Sequence, residues 1–138
     1  MAMKVNEVMT PVPVAVSPDT SLAEVGGLMR QHGIGDVLVV HEGRLRGLVT
    51  DRDIVVRAVA LQKDMSAAVA DVCSTDLVTV ASGEDADTAV RLMREHAIRR
   101  VPVVQGERAI GMVSIGDLAV QRDERSALAD ISAGPPNT

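Results

Sequence analysis

The chain has 138 residues, with 14 Lys and Arg against 19 Asp and Glu and not one Phe, Tyr or Trp. A net charge of −5 offers no electrostatic footprint to a polyanion, and without aromatic rings there is no platform for stacking single-stranded bases, so nucleic acid is excluded as an expected partner. Apolar residues make up 46%, enough for one compact domain or two half-size repeats sharing a core, while aliphatic runs such as Val37 to Val40 are too short to span a bilayer.

In chain order, Met1-Ala2-Met3-Lys4 leads into no apolar signal region, which reads as a soluble, cytoplasmic protein without a membrane partner. A short turn-like segment, Val5 to Met9, precedes an alternating strand, Val12-Pro13-Val14-Ala15-Val16. Ser21 with Glu24 three residues on is a capping-box start for a helix whose apolar stripe is Leu22, Val25, Leu28 and Met29. Strands at Val37 to Val40 and Leu45 to Val49 follow, joined by the hairpin-length His41-Glu42-Gly43-Arg44, and a second helix begins after Thr50. Gln62 to Ala68 reads as a linker.

The same succession then recurs. Val69 to Cys73 is turn-like, and Leu77 to Val80 alternates as a strand. A helix carries Asp85, Ala86, Ala89, Val90 and Met93, and strands Val101 to Val104 and Ala109 to Val113 flank Gln105-Gly106-Glu107-Arg108. The last helix runs from about Ile115 towards Leu128 and is expected to offer Leu118, Ala119 and Val120 to a dimer face. The tail, ending Gly134-Pro135-Pro136-Asn137-Thr138, is expected to be partly disordered.

Residues Val5 to Ile54 match Val69 to Leu118 at a constant offset of 64 without a gap, and 16 of the 50 pairs are identical. The chain is a tandem duplication with repeats at 4–61 and 69–122, a linker at 62–68 and a tail at 123–138. Its expected fold is α/β in the α+β sense, two β-α-β-β-α repeats packed about a pseudo-twofold axis, because each repeat alone would leave apolar surface exposed. The cleft between the repeats is the natural ligand site.

Both repeats carry Gly-h-h-[Thr/Ser]-x-x-Asp, where h is an apolar residue: Gly47-Leu48-Val49-Thr50-Asp51-Arg52-Asp53 and Gly111-Met112-Val113-Ser114-Ile115-Gly116-Asp117. One reading is ordinary helix capping, worth on the order of 1 kcal/mol. The other is a site in which the carboxylate accepts hydrogen bonds from both hydroxyls of a ribose, beside a helix N-terminus that suits an anionic ligand.

With this motif present twice, the β-α-β-β-α order and the opening Val5 to Pro11, the sequence resembles a stand-alone pair of CBS (cystathionine β-synthase) domains, the tandem unit called a Bateman module. The resemblance covers roughly residues 4 to 122. It implies a non-catalytic regulatory module that binds an adenosine-containing ligand (AMP, ADP, ATP or S-adenosylmethionine), pairs into a homodimer and signals to a partner protein. It also implies composite sites. In the first, Thr50 and Asp53 hold the ribose, Leu77, Val78, Ile98 and Pro102 clasp the adenine, and Arg99 and Arg100 meet the phosphates. In the second, Ser114 and Asp117 act with Val12, Pro13, Ile34 and Leu38.

The sites are unequal by sequence, since Gly35 and Asp36 stand where the second repeat has Arg99 and Arg100. A carboxylate repels phosphate and guanidinium groups bind it in bidentate fashion, which favours the Asp53 site for a phosphorylated ligand. No cofactor is obligatory, and Mg²⁺ is expected only as a nucleotide carries it in. Cys73 has no cysteine to pair with, and together with His32, His41 and His96 it makes no zinc-ligand spacing. His32 and His96 recur at matching helix ends, where a cation suits the dipole. Asp51 and Asp53 point to different sides of a helical turn, and the methionines fill apolar stripes. The alternative function is a ligand-free dimerisation scaffold acting through protein contacts. An enzyme has least support, because no nucleophile–base pair, metal cluster or phosphate-cradling glycine loop is present.

Overall fold

The computed structural model describes residues 3–11 and 13–122. Val12, expected in a strand and in the second site, and the tail at 123–138 lie outside the described residues. The chain forms two compact units: Val14–Leu77 is one, and the stretch up to Pro13 together with the chain from Val78 onward is the other.

In the unit Val14–Leu77, helix α2 (Leu22–His32) starts where Ser21 Oγ accepts the backbone N–H of Glu24 at 3.1 Å. It stops at Gly33, whose φ of 62° is the left-handed conformation that closes a helix end, with Ile34 N–H donating to the Met29 carbonyl. Strands β3 (Asp36–His41) and β4 (Arg44–Thr50) make a hairpin around Glu42-Gly43, both at positive φ as the two-residue primed turn requires. Strand β2 (Ala15–Val16) pairs parallel to β3. Helix α3 (Asp51–Ile54) runs into a π-helical turn, Val55–Val59. Leu22, Val25 and Met29 from α2 pack on Val37, Val39, Val49 and Ala58, and on Val69 and Val72 from the segment around a 3₁₀ turn, Val69–Asp71.

The other unit repeats this plan. It has helix α4 (Ala86–His96), strands β5 (Val80–Ala81), β6 (Arg100–Gln105) and β7 (Arg108–Ser114), and helix α5 (Ile115–Arg122). Its β6–β7 turn has Gly106 at φ 63° in first place. The two hairpins slip register at the same place, between Val39 and Val40 and between Val103 and Val104. To this unit the N-terminal chain adds α1 (Val5–Val8) and β1 (Thr10–Pro11), the latter antiparallel to β7. Val5 and Val8 are buried with Val80, Ala89, Met93, Val101, Val103, Val113 and Leu118.

The opening segment of each sequence repeat therefore completes the unit that holds the body of the other. The hydrogen bonds repeat this at the offset of 64: Val5 N–H donates to Glu84 O as Val69 N–H does to Thr20 O, and Ala86 N–H to Met3 O as Leu22 N–H does to Ala67 O. The stretch read as a linker is tied down in the same way, since Ala67 and Met65 accept from the first residues of α2.

Two expectations are corrected. Over residues 13–16 and 77–80 the predicted strands reduce to the two-residue β2 and β5, each pairing with one neighbour. Leu118 is no dimer-face residue: it is 4% exposed and lies in the core that Val5 and Val8 help to build. A helical stripe says that one face is buried without saying against what. Among the described residues, the large apolar side chains that do lie exposed are Val55, Val56, Val59 and Leu61 in the first unit and Ile115 in the second.

Candidate functional site

Thr50 is the last residue of β4 and the N-cap of α3, so strand and helix together fix its position. Its Oγ1 accepts the Asp53 backbone N–H at 3.0 Å, and Asp53 Oδ2 accepts the Thr50 N–H at 2.9 Å. Ser114 and Asp117 repeat the arrangement at the start of α5, at 3.1 and 2.9 Å. Both motifs are thus reciprocal capping boxes. A carboxylate held this way keeps a fixed rotamer, with one oxygen bound to the backbone and the other turned to its surroundings. Asp53 Oδ1 lies 3.9 Å from Arg57 Nε, and the Asp53 side chain is 18% exposed.

The motif glycines have a role that the sequence reading missed. A Cβ on Gly47 would come within 2.8 Å of Cys73 Sγ and 3.0 Å of the Ser74 carbonyl oxygen; on Gly111 it would meet Met9 Sδ and lie 2.9 Å from Thr10 O. Met9 and Cys73 occupy equivalent places in the repeat, so each glycine admits the crossing opening segment against its strand. The signal in the sequence is a glycine identical in both copies within a strand, where a glycine marks the close approach of another backbone. Burial, chiefly, pushes the Cys73 thiol above its ordinary range, and the Asp53 charge adds to this while a backbone hydrogen bond and Arg57 oppose it.

Of the remaining residues expected in the first site, Leu77 closes the first unit, half-buried. Val78, Ile98, Arg99, Arg100 and Pro102 belong to the second unit. There Ile98 packs on the core, Arg99 is exposed, Arg100 opens β6 and Pro102 is buried within it. Of those expected in the second site, Ile34 and Leu38 lie in the first unit, Leu38 fully buried, whereas Pro13, Ser114 and Asp117 lie in the second.

Two differences between the repeats have local causes. Leu38 N–H donates to the Val14 carbonyl at 3.0 Å, but its counterpart Pro102 has no N–H, so Val78, the counterpart of Val14, cannot be bonded in this way. Gly35 is buried against Asp51, where a Cβ would lie 3.1 Å from Oδ2; in the second repeat Ile115 replaces Asp51 and Arg99 replaces Gly35. The Asp51 side chain thus sits against Gly35, while Asp53 turns to the Thr50 N–H. His32 and His96 are the final residues of α2 and α4, both exposed, as suits a helix C-terminus. Among the described residues no three His, Cys, Asp or Glu side chains gather as a metal-binding group, and no helix is long and apolar enough to cross a membrane.

Comparison with known proteins agrees with this architecture. The chain is 39% identical over 132 residues to the CBS domain-containing protein YhcV of Bacillus subtilis, covering 93% of this chain and 94% of that one. It is 36% identical over 121 residues to the inosine-5'-monophosphate dehydrogenase of Mycobacterium leprae, covering 86% of this chain but only 22% of the enzyme. Among solved structures, hypoxic response protein I with two coordinated zinc ions superposes with a TM-score of 0.79 at 28% identity, covering 86% of this chain and 98% of that one. The CBS domain pair of protein MJ0100, in complex with 5'-methylthioadenosine and S-adenosyl-L-methionine, superposes with a TM-score of 0.81 at 23% identity, covering 91% and 100%, a likeness of fold. The family model for the CBS domain matches residues 5–59 and again 69–122, and the chain belongs to the CBS domain family as a tandem pair.

Proposed function

We propose that this chain is a non-catalytic regulatory module that binds an adenosine-containing ligand and passes its occupancy to a partner protein. The observation that carries the reading is the pair of reciprocal capping boxes, each holding an Asp carboxylate and a hydroxyl in a fixed pose at a strand-to-helix junction. Such a carboxylate can accept both hydroxyls of a ribose without first paying to become ordered. That a pair of the same fold holds adenosine derivatives supports the ligand class.

The Asp53 site is the better one in this reading. Its ribose residues are Thr50 and Asp53, its adenine pocket is Leu77, Val78, Ile98 and Pro102, and Arg99 and Arg100 take the phosphates. Pro102 leaves the Val78 carbonyl without a strand donor from position 102, so that oxygen can accept from the adenine amino group. For the Asp117 site, with Val12, Pro13, Ile34 and Leu38, the first repeat supplies Asp36 at the position where the second has Arg100, and the site takes a less charged ligand or none. No cofactor is required, and Mg²⁺ enters only with a nucleotide. Two copies pair as a homodimer.

A second reading, a ligand-free scaffold, is favoured by the exposed Val55, Val56, Val59 and Leu61, an apolar strip of the kind that marks protein contacts. Isothermal titration calorimetry with AMP, ADP, ATP and S-adenosylmethionine, with and without Mg²⁺, separates the two. Saturable binding near one ligand per chain supports the sensor. Asp53→Asn preserves a cap acceptor but removes the charge, and should weaken binding at least tenfold, with a smaller effect from Asp117→Asn. No binding at millimolar ligand leaves the scaffold.

A further inference from the structure

Arg57 lies one helical turn beyond Asp53 and serves two partners in the same unit. Its Nη1 donates to the Val72 carbonyl at 3.2 Å, and its Nε is 3.9 Å from Asp53 Oδ1. Val72 is buried and follows the 3₁₀ turn Val69–Asp71, whose own bonds, from Val72 N–H and Cys73 N–H to Val69 O, hold that turn shut. Beyond it Ser74 pairs with Leu48 of β4, two residues before Thr50. The guanidinium therefore bridges the Asp53 carboxylate and the segment that leads on to Leu77. An exposed ion pair at this distance contributes little to stability by itself, and half of the Arg57 side chain is exposed. What the bridge supplies is orientation. Backbone bonds fix one carboxylate oxygen, and Arg57 sets the charge around the other.

At the constant offset of 64 the second repeat has Gln121 in place of Arg57, a residue that cannot pair with Asp117 as a cation. We infer that Arg57 is a positioning residue which sets the charge around the free oxygen of Asp53 and couples its occupancy to the 69–77 segment, a link that a glutamine cannot make as a cation in the second repeat. This rests on the adenosine reading above and adds the residue through which the site communicates. A carboxylate oxygen accepts more than one donor, so a ligand hydroxyl that bonds to Asp53 Oδ1 shares it with Arg57, and occupancy is felt at the Arg57–Val72 bond.

The test uses the full chain in four forms: wild type, Arg57→Gln, Arg57→Lys and Arg57→Gln combined with Asp53→Asn. Hydrogen exchange without ligand should show the Val72 to Ser74 amides opening about three- to tenfold faster in Arg57→Gln, with Arg57→Lys between it and wild type. Calorimetry with AMP should show a loss of about tenfold in Arg57→Gln, partial rescue in Arg57→Lys and no further loss when Arg57→Gln is added to Asp53→Asn. That non-additivity is what a merely structural role would not produce. Unchanged exchange overturns the coupling whatever happens to affinity. Full AMP affinity in Arg57→Gln, or strict additivity with Asp53→Asn, overturns the positioning role. A wild type that binds no adenosine compound removes the reading beneath the proposal, and the exchange result then decides the Arg57–Val72 link on its own.

Discussion

Ala97 is the residue at which the duplication has drifted against its own geometry. It ends α4 at φ 54°, ψ 43°, the left-handed pose that Gly33 takes at the end of α2, and Ile98 N–H closes the same bond to Met93 O that Ile34 closes to Met29 O. A Cβ in that region costs about 1 kcal/mol, which the closing bonds and the burial of Met93 outweigh. Ala97→Gly should therefore raise stability by about 0.5–1 kcal/mol, part of the gain being offset by the freer unfolded chain. Gly33→Ala should lose about 1 kcal/mol. Thermal unfolding followed by far-ultraviolet circular dichroism reads both, as a rise or fall of a few degrees. Equal melting points would show that the helix end relaxes out of the left-handed pose.

Among the elements, the strands that carry the motif glycines depend on what crosses them. Gly47→Ala should cost about 1–3 kcal/mol, because the added methyl meets both Cys73 Sγ and the Ser74 carbonyl and the latter is backbone that cannot swing aside. Gly27→Ala is the contrast: it lies in α2 with nothing within 4 Å of a new Cβ, and should gain about 0.5–1 kcal/mol from helix propensity. Chemical denaturation of the two variants at one protein concentration distinguishes them by the sign of the midpoint shift. The periodicities that placed α2, α4 and the hairpins were legible because each is a local pattern set by which face meets a core. Thr50 with Asp53 and Ser114 with Asp117 were legible as pairs for the same reason, a cap being a contact over three residues. That a close approach occurs at Gly47 and Gly111 is signalled by their recurrence, but what approaches them was not legible, since the atoms they admit come from chain 26 residues later and 102 residues earlier. The link from Arg57 to Val72 is likewise a side chain meeting a backbone oxygen that no local pattern announces.

At the scale of the whole molecule, the duplication itself conceals where a folding unit begins. An offset of 64 is satisfied equally by a repeat starting at Val5 and by one starting at Val14, because moving the frame along both copies changes no match. Packing breaks the tie. Val69 and Val72, both essentially inaccessible, complete the core around Leu22, Val25 and Val37, whereas Val5 and Val8 complete that around Val80, Ala89 and Val101. Cutting the chain at the sequence boundary, residues 4–61, leaves one core without two buried valines and an opening segment without its core. Losing a buried aliphatic side chain costs about 2–4 kcal/mol, and two such losses approach the whole stability of a unit this small. Residues 14–77 retain every member of their core. The expected outcome is that a 14–77 fragment unfolds cooperatively by circular dichroism with slow-exchanging amides in β3 and β4, while a 4–61 fragment shows neither. Comparable cooperative melting of the two fragments would mean that Val5 and Val8 can take the places of Val69 and Val72, as their sequence equivalence permits, and that the exchange of opening segments is a preference of the intact chain rather than a requirement of each core.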